Sequence, residues 1–195
     1  MIELDKDYWQ TRWEEGQTGW DIGYASTPLV NYFDQLENKD QKILIPGAGN
    51  AYEGEYLHKN GFHKTYILDI APGAIKSLKA RFPQVPNDRI IQGDFFDLQD
   101  EFDLIIEQTF FCALDPALRK DYVSKMLELL KPGGILMGVL FHDELFKDHP
   151  PFGGYKEDYL PLFEKKFEIL NFDIARDSIK PRQGRELFIE LRKPI

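Results

Sequence analysis

One cysteine in 195 residues excludes an intramolecular disulfide framework and any zinc site built from several thiolates. Long apolar runs are also missing. The longest, Ile135–Phe141, is about seven residues, against roughly twenty for a membrane-spanning helix. Positive charge is in deficit: 24 Lys and Arg face 33 Asp and Glu, a formal net charge of −9. A surface that tracks phosphates is therefore not expected, and nucleic acid is a poor partner. The segment MIELDKDYWQ is acidic and aromatic rather than basic then apolar, so it does not read as a secretory leader. No repeat, low-complexity tract or linker divides the chain. The expectation is one domain over 1–195, soluble and cytoplasmic, without a membrane or nucleic-acid partner and without a metal.

Strand and helix signals alternate along the chain. A helix is predicted over 5–15, with Trp9 and Trp13 one turn apart, and another over 27–36, opened by Thr27–Pro28. Strands are predicted at 42–45, 65–70, 89–92, 102–108 and 135–141. The helices between them cover 51–59, 72–81 and a stretch from Asp115–Pro116 to the Lys131-Pro-Gly-Gly134 stop. A helix over 155–166 and strands at 168–174 and 186–191 complete the pattern. This order predicts an α/β fold, a seven-stranded, mostly parallel Rossmann-like sheet with helices on both faces and an antiparallel strand at its C-terminal end.

The run KILIPGAGNAYEG at Lys42–Gly54 reads as a strand, a glycine-rich turn and a helix start. Gly47 and Gly49 let the backbone bend sharply and approach a ligand with no Cβ in the way. About twenty residues on, Asp69 ends the next strand, where a carboxylate can accept hydrogen bonds from a ribose diol. A dinucleotide fingerprint needs a third glycine three residues after the second, and that position is Tyr52. The signal for a nicotinamide cofactor is incomplete, and a smaller nucleoside such as S-adenosylmethionine suits the turn better. In GDFFDL, Asp94 can accept from an adenine amine while the N–H of Phe95 meets a ring nitrogen.

Three segments, YWQTRWEEGQTGWDIGYASTPL, IPGAGNAYEG and EQTFFCALDP, resemble the thiopurine S-methyltransferase superfamily. The chain is most similar to its halide and thiol methyltransferase branch, from about Tyr8 to about Leu191. The resemblance implies a class I methyltransferase fold with S-adenosyl-L-methionine as cofactor and S-adenosyl-L-homocysteine as product. It implies that residues 1–36 form a helical lid whose Trp9, Trp13 and Trp20 cover the cofactor. Gly47, Asp69, Asp94 with Phe95, and Gln108 fall at cofactor-contacting positions, although position 108 in the family is often tyrosine or arginine.

A sulfonium methyl needs a soft nucleophile in line and little else, so no strong general base is required. No base–nucleophile pair stands out, and no catalytic residue is assigned. Phe110, Phe111, Tyr24 and Phe152 are candidates for the acceptor pocket, and Arg182 and Arg185 could attract an anionic acceptor. Cys112 reads as a small buried residue, and His142 and His149 as loop residues. The leading reading is a methyltransferase acting on a small-molecule nucleophile: thiol, hydrosulfide, thiocyanate or halide. The alternatives are a nicotinamide-dependent oxidoreductase on a similar sheet and a non-catalytic S-adenosylmethionine-binding sensor.

Overall fold

The computed structural model of the protein describes residues 3–195. Helices α1 (Lys6–Glu14) and α2 (Thr27–Phe33) precede the sheet. There follow β1 (Ile43–Pro46), α3 (Tyr52–Lys59), β2 (Thr65–Asp69), α4 (Pro72–Arg81), β3 (Ile90–Gln92) and β4 (Phe102–Gln108). The chain continues through α5 (Arg119–Leu129), β5 (Leu130–Phe141), α6 (Lys156–Phe163), β6 (Glu168–Ile174) and β7 (Glu186–Arg192). The strands form one seven-stranded sheet in the order β3-β2-β1-β4-β5-β7-β6. Strands β1 to β5 are mutually parallel, β7 runs antiparallel between β5 and β6, and the fold class is as the alternation predicted.

Both faces of the central strands are covered, which is why their sequences are apolar without alternation. Successive side chains point to opposite faces. Ile43, Ile45, Leu104 and Ile106 pack with Leu29 and Phe33 of α2 and Leu57 of α3. Leu44 and Ile105 point the other way, into a cluster with Tyr122 and Met126 of α5 and Phe163 of α6. The order reverses between β1 and β4. At such a switch point the connections leave in opposite directions and open a crevice beyond the carboxyl ends of the strands.

Several boundaries differ from expectation, among them the start of α5, which is at Arg119 rather than Asp115. Helix α2 ends at Phe33 rather than residue 36. Helix α6 spans Lys156–Phe163 with Pro161 inside it, shorter than the predicted 155–166. The Lys131–Gly134 stretch does not separate helix from strand. Instead β5 begins at Leu130, which pairs with Phe102, and the register then shifts so that Ile135 meets Leu104. The glycine-rich segment is the irregularity within that strand, with Gly133 at φ +76°. Among the described residues, no helix is long and apolar enough to cross a membrane.

Candidate active site

The switch point opens into a cavity of about 650 Å³, lined at its base by Gly47, Gly49, Asp69, Asp94 and Phe95. Gly47 (φ +56°) and Gly49 (φ +54°) both occupy the left-handed region that side chains disfavour. A Cβ on Gly47 would lie 2.2 Å from Cδ2 of Phe110, so the Phe110 ring rests directly on the turn. A Cβ on Gly49 would lie 3.7 Å from both Cζ2 of Trp13 and Nε1 of Trp20.

Asp69 ties the turn to the sheet. Its Oδ2 accepts from the Gly49 N–H at 2.8 Å and its Oδ1 from the Ala71 N–H at 2.8 Å. Burial raises its pKa, and the backbone N–H bonds oppose that rise. An ionised carboxylate has about four acceptor sites, and the Gly49 and Ala71 bonds occupy two of them.

Ala51, which precedes α3, is also left-handed at φ 52°, a conformation costly for an alanine. A side-chain network holds it there. Ser77 Oγ donates to Oδ1 of Asn50 at 2.7 Å, Asn50 donates to Asp21, and Arg81 donates to the Asn50 carbonyl. Arg81 also lies over the Tyr52 ring, its guanidinium carbon 4.3 Å from the centroid. Tyr52 therefore supports the turn instead of leaving it open. Close approach of helix to sheet comes two residues later, at Gly54, where a Cβ would stand 2.8 Å from Cδ1 of Ile67.

The three tryptophans also line the cavity, Trp13 and Trp20 beside Gly49. Trp20 meets Trp9 and Trp13 edge-on, with ring centroids 5.7 and 6.4 Å away. Helix α1 is seated on the start of α4: Oε1 of Gln10 accepts from the Gly73 N–H at 2.7 Å. A Cβ on Gly73 would be 2.7 Å from Cβ of Trp13, so that position accepts nothing larger than glycine without the helix moving. The Trp20 carbonyl accepts from Nη2 of Arg182 at 3.1 Å.

Asp94 is exposed at the cavity edge, and its Oδ1 accepts from the Phe96 N–H at 2.8 Å. Phe95 is buried beneath it and packs against Phe110, centroids 5.2 Å apart. Arg182 and Arg185 both reach the cavity, and each has an acidic partner. Arg182 is buried, with Nη1 3.3 Å from Oε1 of Glu186 and its guanidinium over the Phe141 ring at 5.3 Å. Arg185 pairs with Asp143.

Four sequence-predicted positions are not among the lining residues. Tyr24 is half exposed on the surface. Phe111 points into the core between Tyr122 and Tyr159, at centroid distances of 5.0 and 5.2 Å. Phe152 is buried, its N–H donating to the Cys112 carbonyl at 2.7 Å. Gln108 ends β4 with a buried Oε1 that has no hydrogen-bond partner among the described residues. Thr109, at φ +56°, turns the chain and sends Phe110 to the crevice and Phe111 to the core. Of the loop histidines, His149 lines the cavity and stacks on Phe146 with centroids 4.1 Å apart. His142 does not line it, and its Nδ1 accepts from the Lys156 N–H at 3.1 Å. Burial, and then the charge of Glu107, push the Cys112 thiol up to about 12, which leaves it unfit as a thiolate nucleophile.

The sequence reading missed Glu107, a fully buried acid within β4 directly behind the cavity wall. The signal was present as a lone charge near the end of the apolar run FDLIIEQ.

The thiopurine S-methyltransferase family model matches residues 4–191. This chain belongs to that family. Among its relatives is a probable thiol methyltransferase 2 of Arabidopsis thaliana, 29% identical over 95% of this chain and 84% of that one. The thiocyanate methyltransferase 1 of Brassica oleracea is 26% identical, with 94% and 83% covered. A thiopurine S-methyltransferase of Acinetobacter baylyi is 25% identical, with 85% and 87% covered. For the fold alone, a Burkholderia thailandensis 1,6-didemethyltoxoflavin-N1-methyltransferase solved with S-adenosylhomocysteine superposes with a TM-score of 0.73 at 17% identity, covering 97% of this chain and 87% of the other. This thiopurine S-methyltransferase family member is accordingly an S-adenosylmethionine-dependent methyltransferase. Its residues fit that donor: a glycine cradle without side chains, a buried carboxylate with free acceptor sites, and indole faces suited to a sulfonium.

Proposed function

We propose that the enzyme transfers the methyl group of S-adenosylmethionine to a small soft nucleophile: a thiol, hydrosulfide, thiocyanate or halide. The carrying observation is the character of the cavity wall beyond the glycine turn. It is built from rings and apolar side chains such as Phe110, Phe141 and Leu145, with the guanidiniums of Arg12, Arg182 and Arg185, the His149 imidazole stacked on Phe146, and no thiol poised to ionise. Such a wall mainly positions and dries an acceptor, and it offers no thiolate to attack the donor. A soft anion arrives already nucleophilic and needs nothing further. The relatives named for thiol and thiocyanate methylation point the same way.

When bound, the donor supplies an electrophilic methyl carbon on a sulfonium. That carbon would pass to the lone pair of the acceptor, with S-adenosylhomocysteine as the thioether released. Within this reading Gly47 and Gly49 allow the backbone to approach the donor, and Asp69 takes the ribose hydroxyls. Asp94 with Phe95 meets the adenine, and the N-terminal segment with Trp9, Trp13 and Trp20 serves as the lid. Arg182 and Arg185 bias the acceptor end towards an anion. The single buried cysteine supports a reducing, cytoplasmic setting.

The test incubates the protein with S-adenosylmethionine and, separately, iodide, hydrosulfide, thiocyanate and aryl thiols, following S-adenosylhomocysteine and methylated product. Turnover with at least one is expected. Donor binding without product from any of the panel would overturn the acceptor assignment.

A further inference from the structure

The cavity wall hangs from a buried acid to which the methyl-transfer reading gives no role. Oε1 of Glu107 accepts from the N–H groups of Phe110 and Phe111 at 2.8 and 2.9 Å. Its Oε2 accepts from the hydroxyl of Tyr122 on α5 at 2.5 Å. The turn so held is strained at Thr109 and delivers the Phe110 ring onto Gly47. Space for the acid is made by the neighbouring strand: a Cβ on Gly138 of β5 would lie 2.5 Å from Cβ of Glu107 and 2.1 Å from its carbonyl oxygen. A glycine opposite, a tyrosine hydroxyl from a helix and two backbone donors thus converge on one side chain, and the residue it steadies touches the cofactor turn.

We infer that Glu107 is a positioning residue for methyl transfer, acting through the two amides it holds to keep the Phe110 ring seated against Gly47. This rests on the methyltransferase reading for its consequence, though not for its geometry. Hydrogen bonding rather than negative charge is what the arrangement needs. Burial drives the Glu107 pKa up to about 7, so its neutral form is accessible. A neutral amide of the same shape can accept from both backbone donors while its NH2 donates to the Tyr122 oxygen.

The experiment compares Glu107→Ala, Glu107→Gln, Tyr122→Phe, Phe110→Ala and the Glu107→Ala/Phe110→Ala double variant with the wild type. It reads kcat, acceptor KM, donor affinity by calorimetry, and hydrogen exchange in a peptide spanning 108–113. Misplacing a wall residue by about 1 Å can cost on the order of 100-fold, so Glu107→Ala should lower kcat at least about tenfold while donor affinity stays within about twofold. Glu107→Gln should stay within about threefold of wild type. The double variant should lose no more than its worse single parent, because the acid acts through the ring. Exchange in 108–113 should quicken in Glu107→Ala and not in Glu107→Gln.

Three results would overturn the inference: a folded Glu107→Ala with wild-type kcat, losses that multiply in the double variant, or Glu107→Gln as damaged as Glu107→Ala. If Glu107→Ala does not fold, Tyr122→Phe carries the test through slower turnover and quicker exchange at 110 and 111, and unchanged values there refute it. If the wild type itself turns over no acceptor, the methyl-transfer reading fails. Exchange at the two amides then still decides whether Glu107 holds the turn.

Discussion

Replacing Asp69 by asparagine tests the cofactor site with little change of volume. The carboxylate accepts one backbone N–H on each oxygen, from Gly49 and Ala71. Asparagine keeps one acceptor and sets an NH2 against the other donor, so one charge-assisted bond is lost and two donors face each other. The ribose diol meets the same altered group. Hydrogen bonds to a charged group contribute about 1.5–3 kcal/mol, which corresponds to a donor affinity weakened roughly 10- to 150-fold. Isothermal titration with S-adenosylmethionine measures this directly. A thermal melt of the empty protein separates it from loosening of the Gly47–Gly49 turn, which should cost about 1–3 kcal/mol by itself. A dissociation constant within twofold of wild type in a folded variant would remove Asp69 from the site and, with it, the main reason for placing a nucleoside there.

Trp13→Leu removes an indole that borders both Gly49 and Gly73. If indoles shelter a sulfonium, this change should weaken S-adenosylmethionine by about 0.5–2 kcal/mol more than the uncharged S-adenosylhomocysteine, and equal losses in paired titrations would refute the cation–π role. Gly47→Ala forces a side chain into left-handed backbone and against the Phe110 ring, so thermal stability should fall by about 1–3 kcal/mol together with donor affinity. A variant melting and binding like wild type would show that the turn is looser than described. Glu107 has its pKa raised from 4.5 to about 7, mainly by burial, so folding favours its neutral form. The stability this group contributes is complete below about 4.5 and is lost as pH rises through about 7, on the order of 3 kcal/mol in all. Glu107→Gln lacks that titration. The melting temperature of wild type minus variant should therefore fall between pH 5 and pH 8, and a difference that ignores pH would contradict the assignment.

Features set by neighbours in sequence could be read without coordinates. Thr27–Pro28 opens α2 because a proline at the first helical turn gives up no bond, and the Pro46–Gly49 bend needs only backbone freedom. Features set by distant partners could not. The Lys131–Gly134 segment has the composition of a turn, yet Leu130 finds Phe102 across the sheet and the strand starts there. The roles of Phe110 and Phe111 depended on one torsion at Thr109, which no residue type announces. Tyr24 and Phe152 look alike as aromatic pocket candidates in sequence, and burial separates them, one outside on the surface and one inside the core. Tyr52 marked the absence of a third glycine correctly. That Gly54 supplies the close approach instead, against Ile67, required the helix in place.

Helix α1 buries no residue fully among those described, although it forms one wall of the cavity. Gln10 on Gly73, Asp21 with Asn50, the Arg182 bond to Trp20 and edge-on ring contacts fasten this part of the chain. Segments with so little buried surface detach at a small fraction of the free energy of global unfolding. Under the lid reading proposed above, a spent nucleoside thioether would leave on this side with every strand of the sheet undisturbed, and changing a few N-terminal contacts would alter the pace of release while the reacting centre stays as it is.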